Sequence, residues 1–185
     1  MSILQKALAT VAVVIMVLAG LFLIVGAVLP DSRVGEAMEE SCHPLERVYP
    51  SFREPEALAA WFFPDSMDEV SILDDGVRWR DGERWLRVDV TDSRMESFVH
   101  YEVAQEGRFS MPVKVRMQAL ENGGSRLDIR ADASAETVFG RWFLVLPDLL
   151  QWLGLPNQNL DEAMKRISDQ ALEHLDNDYG PCRSD

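Results

Sequence analysis

An uncharged apolar segment near the N-terminus, Ala7–Leu29, constrains this chain more than any other feature. As a helix it would be roughly 35 Å long, enough to cross a hydrocarbon core of about 30 Å with some tilt. A cleaved signal peptide has a shorter apolar core, of about 7–15 residues, and a small-residue cleavage site. A buried helix of a soluble protein is seldom apolar on every face. The sequence therefore predicts an uncleaved transmembrane anchor within residues 1–30.

Charges beside this segment predict its orientation. Lys6 and the terminal amine precede it, whereas Arg33 is the single basic residue close behind it. Because basic residues favour the cytoplasmic side and acidic residues contribute little, we expect a single-pass protein with its N-terminus in the cytoplasm. The rest of the chain would then lie outside the cytoplasm.

The chain is acidic, with 31 acidic and 18 basic residues and a formal net charge of −13. All the acidic residues follow position 30, so the part outside the anchor repels nucleic acid and anionic headgroups at long range. We therefore expect the protein to contact the membrane through its anchor and to have no nucleic-acid partner. The sequence does not identify a protein partner. Residues 31–180 suit one domain with a proper core, and residues 181–185 are predicted to be a disordered tail.

Two cysteines, Cys42 and Cys182, lie near opposite ends of the predicted domain. In an oxidising compartment a disulfide between them would close a long loop and restrict the unfolded chain. The alternative is two unpaired thiols. No CxxC or Cys/His metal spacing occurs, so we predict no metal site and no cofactor.

The residues after the anchor predict a strand at Val34–Ser41 and short helices at Pro44–Tyr49 and Pro55–Phe63. From residue 66 onward, turn signals alternate with short segments of period-two alternation, which is typical of an antiparallel meander. These signals are Asp74-Asp75-Gly76, Asp81-Gly82, Thr91-Asp92-Ser93, Glu106-Gly107 and Asn122-Gly123-Gly124.

Alternation is clearest in Phe109–Ala119 and Arg126–Ala135, where odd positions are apolar and even positions are mostly polar. Three earlier segments, around Trp79, Val88 and Tyr101, alternate in the same way. The pattern predicts a sheet of five or six strands with one apolar face that needs a cover.

Two C-terminal segments are predicted helices. Asn159 and Glu162 form a capping-box pattern before an apolar stripe, which consists of Leu160, Met164, Ile167, Ala171 and Leu175. We expect this helix to cover the apolar face of the sheet. The preceding segment, Val138–Leu155, is highly apolar, but Arg141, Pro147 and Asp148 interrupt it, so we do not predict a second membrane span.

This order of elements resembles the START-like, Bet v 1-like superfamily, in particular its membrane-anchored relatives called SRPBCC or polyketide cyclase/dehydrase-like proteins. The resemblance covers roughly Val34–Asp176 and includes His43–Tyr49 with Trp61, and Gly140-Arg141-Trp142-Phe143 at the last helix. It implies an α+β helix-grip fold, in which an antiparallel sheet wraps a C-terminal helix behind the transmembrane helix. The chain departs from the family by dividing that helix around Pro156.

The resemblance also implies a cavity between sheet and helix. The residues expected to line it, and so to bind a ligand, are Trp79, Val99, Tyr101, Met111, Met117, Ala131, Ala133, Trp142, Phe143 and Leu146. Small side chains at Ala131, Ala133 and Ala135 would leave room for a ligand, or would let the last helix approach closely. The aromatic and methionine side chains are equally typical of an ordinary core.

Acid–base catalysis would need an ionisable group on the apolar face, where Ser97 and Tyr101 supply the only polar side-chain atoms. Cys42 and His43 are adjacent in the sequence, and the side chains of adjacent residues rarely point at each other, so we do not expect a nucleophilic dyad. Common nucleophile and nucleotide-binding motifs are absent from the sequence. We therefore predict no catalytic residue. The function expected is non-catalytic binding of a lipid or other hydrophobic small molecule at the membrane. The alternatives are a tethered protein–protein interaction module of the cell envelope, and a polyketide cyclase/dehydrase-like enzyme.

Overall fold

A computed structural model describes residues 3–62, 69–81, 83–105, 109–135, 137–152 and 159–182. The elements follow one another as α1 (Ile3–Val28), β1 (Ser32–Ser41), α2 (Leu45–Arg53), α3 (Pro55–Trp61), β2 (Glu69–Leu73), β3 (Gly76–Asp81), β4 (Arg84–Arg94), β5 (Phe98–Gln105), β6 (Phe109–Ala119), β7 (Ser125–Ser134), α4 (Val138–Trp152) and α5 (Leu160–Tyr179).

The strands form one seven-stranded antiparallel sheet in the order β1-β7-β6-β5-β4-β3-β2. The predicted α+β class and antiparallel meander are confirmed, whereas the predicted number of five or six strands is too small. The strand that the sequence pattern missed is β2 at the sheet edge. Its Val70 and Ile72 are exposed, so its alternation does not mark a buried face.

The predicted turn at Thr91-Asp92-Ser93 is wrong, because β4 continues through these residues to Arg94. The register with β5 shifts between Val90 and Asp92, which marks a β-bulge. The chain turns instead at residues 95–97, where Glu96 has a φ of 53°. Polar residues at a bulge and at a turn look alike in sequence, and this similarity explains the error.

The apolar face of the sheet is buried as its alternation predicts. Its fully buried side chains include those of Val77, Val88, Val99, Val115, Leu127 and Ile129, and they form one core with residues of α2, α3 and α5. The cap of α5 is the predicted one, since Asn159 Oδ1 accepts a hydrogen bond from the Glu162 amide at 2.9 Å. Met164, Ala171 and Leu175 of the predicted stripe are buried, while Leu160 and Ile167 are partly buried against the same core.

The chain divides into two compact units. The first comprises Met1–Arg33 and Ser134–Asn157 and so contains α1 and α4; the second comprises Val34–Ala133 and Gln158–Asp185. Among the residues that the structure describes, the segment Thr10–Val28 of α1 is the one helix long and apolar enough to cross a membrane, with a mean hydropathy of 3.0. Only 6% of that segment is buried.

Candidate functional site

Seven of the predicted ligand-binding residues lie in the sheet, and most of them are sealed in its core. Trp79, Val99 and Ala131 have at most 1% of their surface exposed, and Tyr101 and Met117 are also buried. A side chain that lines a space large enough for water would keep exposed surface towards that space. Met111 and Ala133 do remain partly exposed, beside the fully buried pair Val113 and Ala131.

Aromatic side chains from α2 and from the end of α3 fill the space against the sheet. The Phe62 ring centre lies 6.2 Å from the ring centres of both Trp79 and Tyr101. Trp61 packs between Phe52 and Phe62 and donates its indole N–H to the Ser51 carbonyl at 2.8 Å. These three aromatic residues are not among those that the sequence predicts to line the site. The predicted lining is therefore part of a packed aromatic core in this conformation, and its role in ligand binding remains a prediction.

Tyr101 is the buried polar group at the centre of this core. Its hydroxyl donates a hydrogen bond to the carbonyl of Phe52, near the end of α2. Burial raises the pKa of Tyr101 well above its usual value of 10.0, and the nearby Arg53 charge opposes this rise only in part. The phenol is therefore neutral at physiological pH and its proton is directed at a backbone carbonyl, an arrangement that ties β5 to α2.

The other three predicted ligand-binding residues lie on α4 in the first unit. Trp142 stacks on Phe22 of α1, with ring centres 5.0 Å apart and an interplanar angle of 10°. Its indole N–H also donates to the Phe22 carbonyl at 3.2 Å. Leu146 is 36% exposed, and the side chain of Phe143 lies outside what the structure describes.

Two arginines fix α4 to the end of α1 and the residues that follow it. Arg141 donates to the Ala27 carbonyl at 2.8 Å, one of the carbonyls that a helix end leaves without an intrahelical partner. Arg33 pairs with both carboxylate oxygens of Asp148 and also donates to the Leu144 carbonyl at 3.2 Å. These contacts could not be predicted from the sequence, since each arginine lies more than 100 residues from its partner in the chain.

Cys42 and Cys182 are joined in a disulfide, with their Cα atoms 5.6 Å apart. Cys182 lies within the predicted disordered tail, of which the structure describes Pro181 and Cys182. His43, which is 4% exposed, places Nε2 at 2.8 Å from Asp176 Oδ1. The two sulfurs and a ring nitrogen of His43 lie within 4.8 Å of one another, as in a metal site. Metals bind free thiolates, and here both sulfurs are in the disulfide. The cluster is therefore a cross-link between the residues that follow β1 and those that follow α5.

Ion pairs on the surface of the second unit shift two pKa values without changing a charge at neutral pH. Arg126 donates a hydrogen bond to the Glu40 carboxylate, and Lys165 donates to the carboxylates of Glu39 and Asp169. These contacts favour the charged forms and so raise the pKa values of Arg126 and Lys165. Both basic groups are already positive at neutral pH. These pairs therefore neutralise part of the acidic surface. Arg126 and Lys165 stay protonated, so neither is suited to act as a general acid or base at neutral pH.

A groove of about 750 Å³ lies on the polar side of the sheet, formed by β2, β3, β4 and β5. The Arg78 guanidinium stands over the Trp85 ring, 4.6 Å from its centre, and Arg87 pairs with Asp89 at 2.6 Å. Because charged side chains line this groove and it is open, it suits an apolar ligand poorly. No feature of the sequence predicted this groove.

No protein-family model and no curated protein sequence matches the chain. Solved structures do share its fold. Protein CV1439 from Chromobacterium violaceum is 17% identical, with a TM-score of 0.54 over 83% of this chain and 100% of its own. SA2116 from Staphylococcus aureus, a protein of unknown function, is 11% identical, with a TM-score of 0.60 over 81% of this chain and 97% of its own.

DynU16, a protein from the dynemicin biosynthetic locus, is 12% identical, with a TM-score of 0.52 over 80% of this chain and 48% of its own. At these identities the likeness concerns the fold alone. The chain therefore has the antiparallel sheet fold of a group of small proteins, consistent with a Bet v 1-like architecture.

Proposed function

We propose that this protein is a single-pass membrane protein of the SRPBCC type that binds a lipid or other hydrophobic small molecule without catalysing a reaction. The packing of α4 on α1 is the observation that carries this proposal. Trp142 stacks on Phe22, which lies within the apolar segment Thr10–Val28. An apolar helix packed on a membrane anchor supports a function at the bilayer, which dissolves such ligands.

The orientation proposed is an N-terminus in the cytoplasm and a sheet domain outside it. Lys6 and the terminal amine precede the apolar segment, whereas Arg33 is the single basic residue close behind it, and this distribution favours that direction. The disulfide between Cys42 and Cys182 supports it independently, because disulfides persist mainly in oxidising compartments.

Within the second unit, we place the ligand on the apolar face of the sheet near Met111 and Ala133. These two residues keep exposed surface, whereas the neighbouring Val113 and Ala131 are fully enclosed. A hydrophobic ligand at this end of the sheet would extend the existing core. The burial of apolar surface would supply its binding affinity. The binding site has no charged group in this proposal, which suits a ligand recognised by shape and apolar surface.

Mass spectrometry tests the proposal directly. The full chain is purified in detergent or nanodiscs, washed, extracted with organic solvent and analysed for a stoichiometric apolar molecule. Ala133→Phe fills the proposed position and is expected to remove that molecule. Ala119→Phe is the matched control, because Ala119 is an exposed residue on the opposite end of β6. A wild-type protein that is consistently empty, or equal loads in both variants, would contradict the proposal.

The packed aromatic core favours a second candidate function, a tethered interaction module with no ligand. Trp79 and Tyr101 are sealed against Phe62, so the core is complete without a bound molecule. Purification in mild detergent then yields one stoichiometric protein partner and no apolar molecule. The enzyme alternative is less well supported, since the Tyr101 proton is directed at the Phe52 carbonyl in a buried site.

A further inference from the structure

We propose that α4 lies in the membrane surface beside the end of α1, with Phe139 and Leu146 inserted among lipid acyl chains. This inference rests on the proposed function in one respect, that α1 is a membrane anchor. It adds a second, separate contact with the bilayer, made by a helix more than 100 residues away from the anchor in the sequence.

The depth of α4 follows from its contacts with α1. Phe22 lies less than two turns before the end of α1 at Val28, which corresponds to about 9 Å along the helix axis. The ring centres of Trp142 and Phe139 lie 5.0 and 5.3 Å from that of Phe22. When α1 spans a bilayer, these two side chains of α4 therefore reach the outer part of the hydrocarbon core.

Close packing makes this contact specific. A Cβ added to Gly26 would lie 2.5 Å from a methyl group of Val138 and 2.6 Å from the Trp142 indole nitrogen. Glycine at this position is what lets the first two turns of α4 approach the backbone of α1. Small residues play this role at helix contacts within membranes.

The lipid-facing side of α4 is apolar and exposed. Phe139 and Leu146 lie two turns apart, so they share one face of the helix. Their exposed fractions are 63% and 36%. A lipid leaflet is the occupant that fits this face, because the face is continuous with α1, and most apolar side chains of the segment Thr10–Val28 are exposed.

The contacts of α4 extend from the last two turns of α1 to a residue that follows α1 in the chain. Val138 and Trp142 contact α1, whereas Asp148 pairs with Arg33, which follows α1 in the chain. A helix of 15 residues is about 22 Å long, too short for a core of about 30 Å. The Arg141 guanidinium donates a hydrogen bond to the Ala27 carbonyl. A charged group near the hydrocarbon boundary needs such a hydrogen-bond partner. Trp142 is typical of that boundary.

Fluorescence quenching tests the depth of α4 in the intact protein. Single cysteines are introduced in the full chain as Phe139→Cys, Leu146→Cys, Leu18→Cys and Met95→Cys, and are labelled without reductant by a nitrobenzoxadiazole fluorophore. Leu18 in α1 is the positive control, and Met95, 75% exposed in the turn between β4 and β5, is the aqueous control. The proteins are reconstituted in phosphatidylcholine vesicles with or without nitroxide-labelled lipid, and circular dichroism confirms their fold.

We expect labels at positions 139 and 146 to have blue-shifted emission and to be quenched by nitroxide lipid several-fold more than the label at 95. If position 18 is quenched and positions 139 and 146 match position 95, the anchor stands and the proposal for α4 is overturned. If position 18 is not quenched, the anchor itself is overturned. Blue-shifted emission at 139 and 146 without quenching would assign this face to a protein partner or a second copy, and would also overturn the proposal.

Discussion

At the scale of single residues, Tyr101 has a structural role that substitution can measure. Tyr101→Phe leaves the buried Phe52 carbonyl without its donor, which we expect to lower the free energy of unfolding by about 1–3 kcal/mol. Chemical unfolding in detergent, followed by the fluorescence of the buried indoles, measures the change. Tyr179→Phe is the matched control, because this residue is 45% exposed, and a change within about 0.5 kcal/mol is expected. Equal effects would show that the Phe52 contact is unimportant.

The same residue predicts an alkaline loss of stability. The pKa of Tyr101 is raised in the folded protein, whereas in the unfolded chain it is about 10, so above that pH the folded state binds more protons. The contribution of the neutral phenol is therefore fully present below pH 10 and is lost progressively at higher pH. Unfolding curves at pH 8 and pH 11 should show a steeper decline for wild type than for Tyr101→Phe. Parallel declines would mean that Tyr101 is not the group responsible.

At the scale of elements, the start of α5 depends on a glycine in the edge strand. A Cβ at Gly35 would overlap the Leu160 side chain. We expect Gly35→Ala to displace the first turn of α5 and to lower the free energy of unfolding by about 1–3 kcal/mol. In a Leu160→Ala background the same substitution should cost clearly less, and the double-mutant cycle isolates this contact. If the two substitutions lower the free energy of unfolding additively, the cost of Gly35→Ala does not come from its contact with Leu160.

The disulfide fixes the other end of α5. It connects residues 140 apart in sequence, so its removal frees the unfolded chain substantially. We expect Cys42→Ser with Cys182→Ser to lower the free energy of unfolding by about 2–5 kcal/mol, and a dithiol reductant to do the same to wild type. The reductant should leave the double variant unchanged, which is the control. A reductant that does not destabilise wild type would contradict this role.

Sequence alternation predicted the buried face of the sheet well, because one face of each strand must be apolar when the other is solvated. Phe109–Ala119 is a strand with the bounds that the pattern gave, and Asn159 caps α5 as expected. The sequence could not distinguish the bulge at Val90 from a turn, or detect β2, whose apolar residues are exposed. The contacts of Arg33 and Arg141 were equally inaccessible, since they join residues more than 100 positions apart.

At the scale of the whole molecule, three features bear on the proposed orientation, in which the sheet domain lies outside the cytoplasm. Lys6 precedes the apolar segment and gives it a weak positive-inside bias. The disulfide is a covalent link of the kind that oxidising compartments preserve. The acidic residues all follow position 30, and acidic residues contribute little to topology. Two of the three features therefore agree on one orientation, and the third does not oppose it.

This agreement predicts the outcome of a topology experiment. An alkaline phosphatase reporter fused to the C-terminus, which is active only outside the bacterial cytoplasm, should be active when the full chain is expressed in a bacterial host. Lys6→Glu with Arg33 unchanged removes the basic side chain before the apolar segment and should lower that activity. Lys165→Glu, far from the anchor in the chain, should leave it unchanged. Wild-type Cys42 and Cys182 should also resist thiol labelling until a reductant is added. An inactive reporter together with freely labelled cysteines would place the domain in the cytoplasm and reverse the proposed orientation.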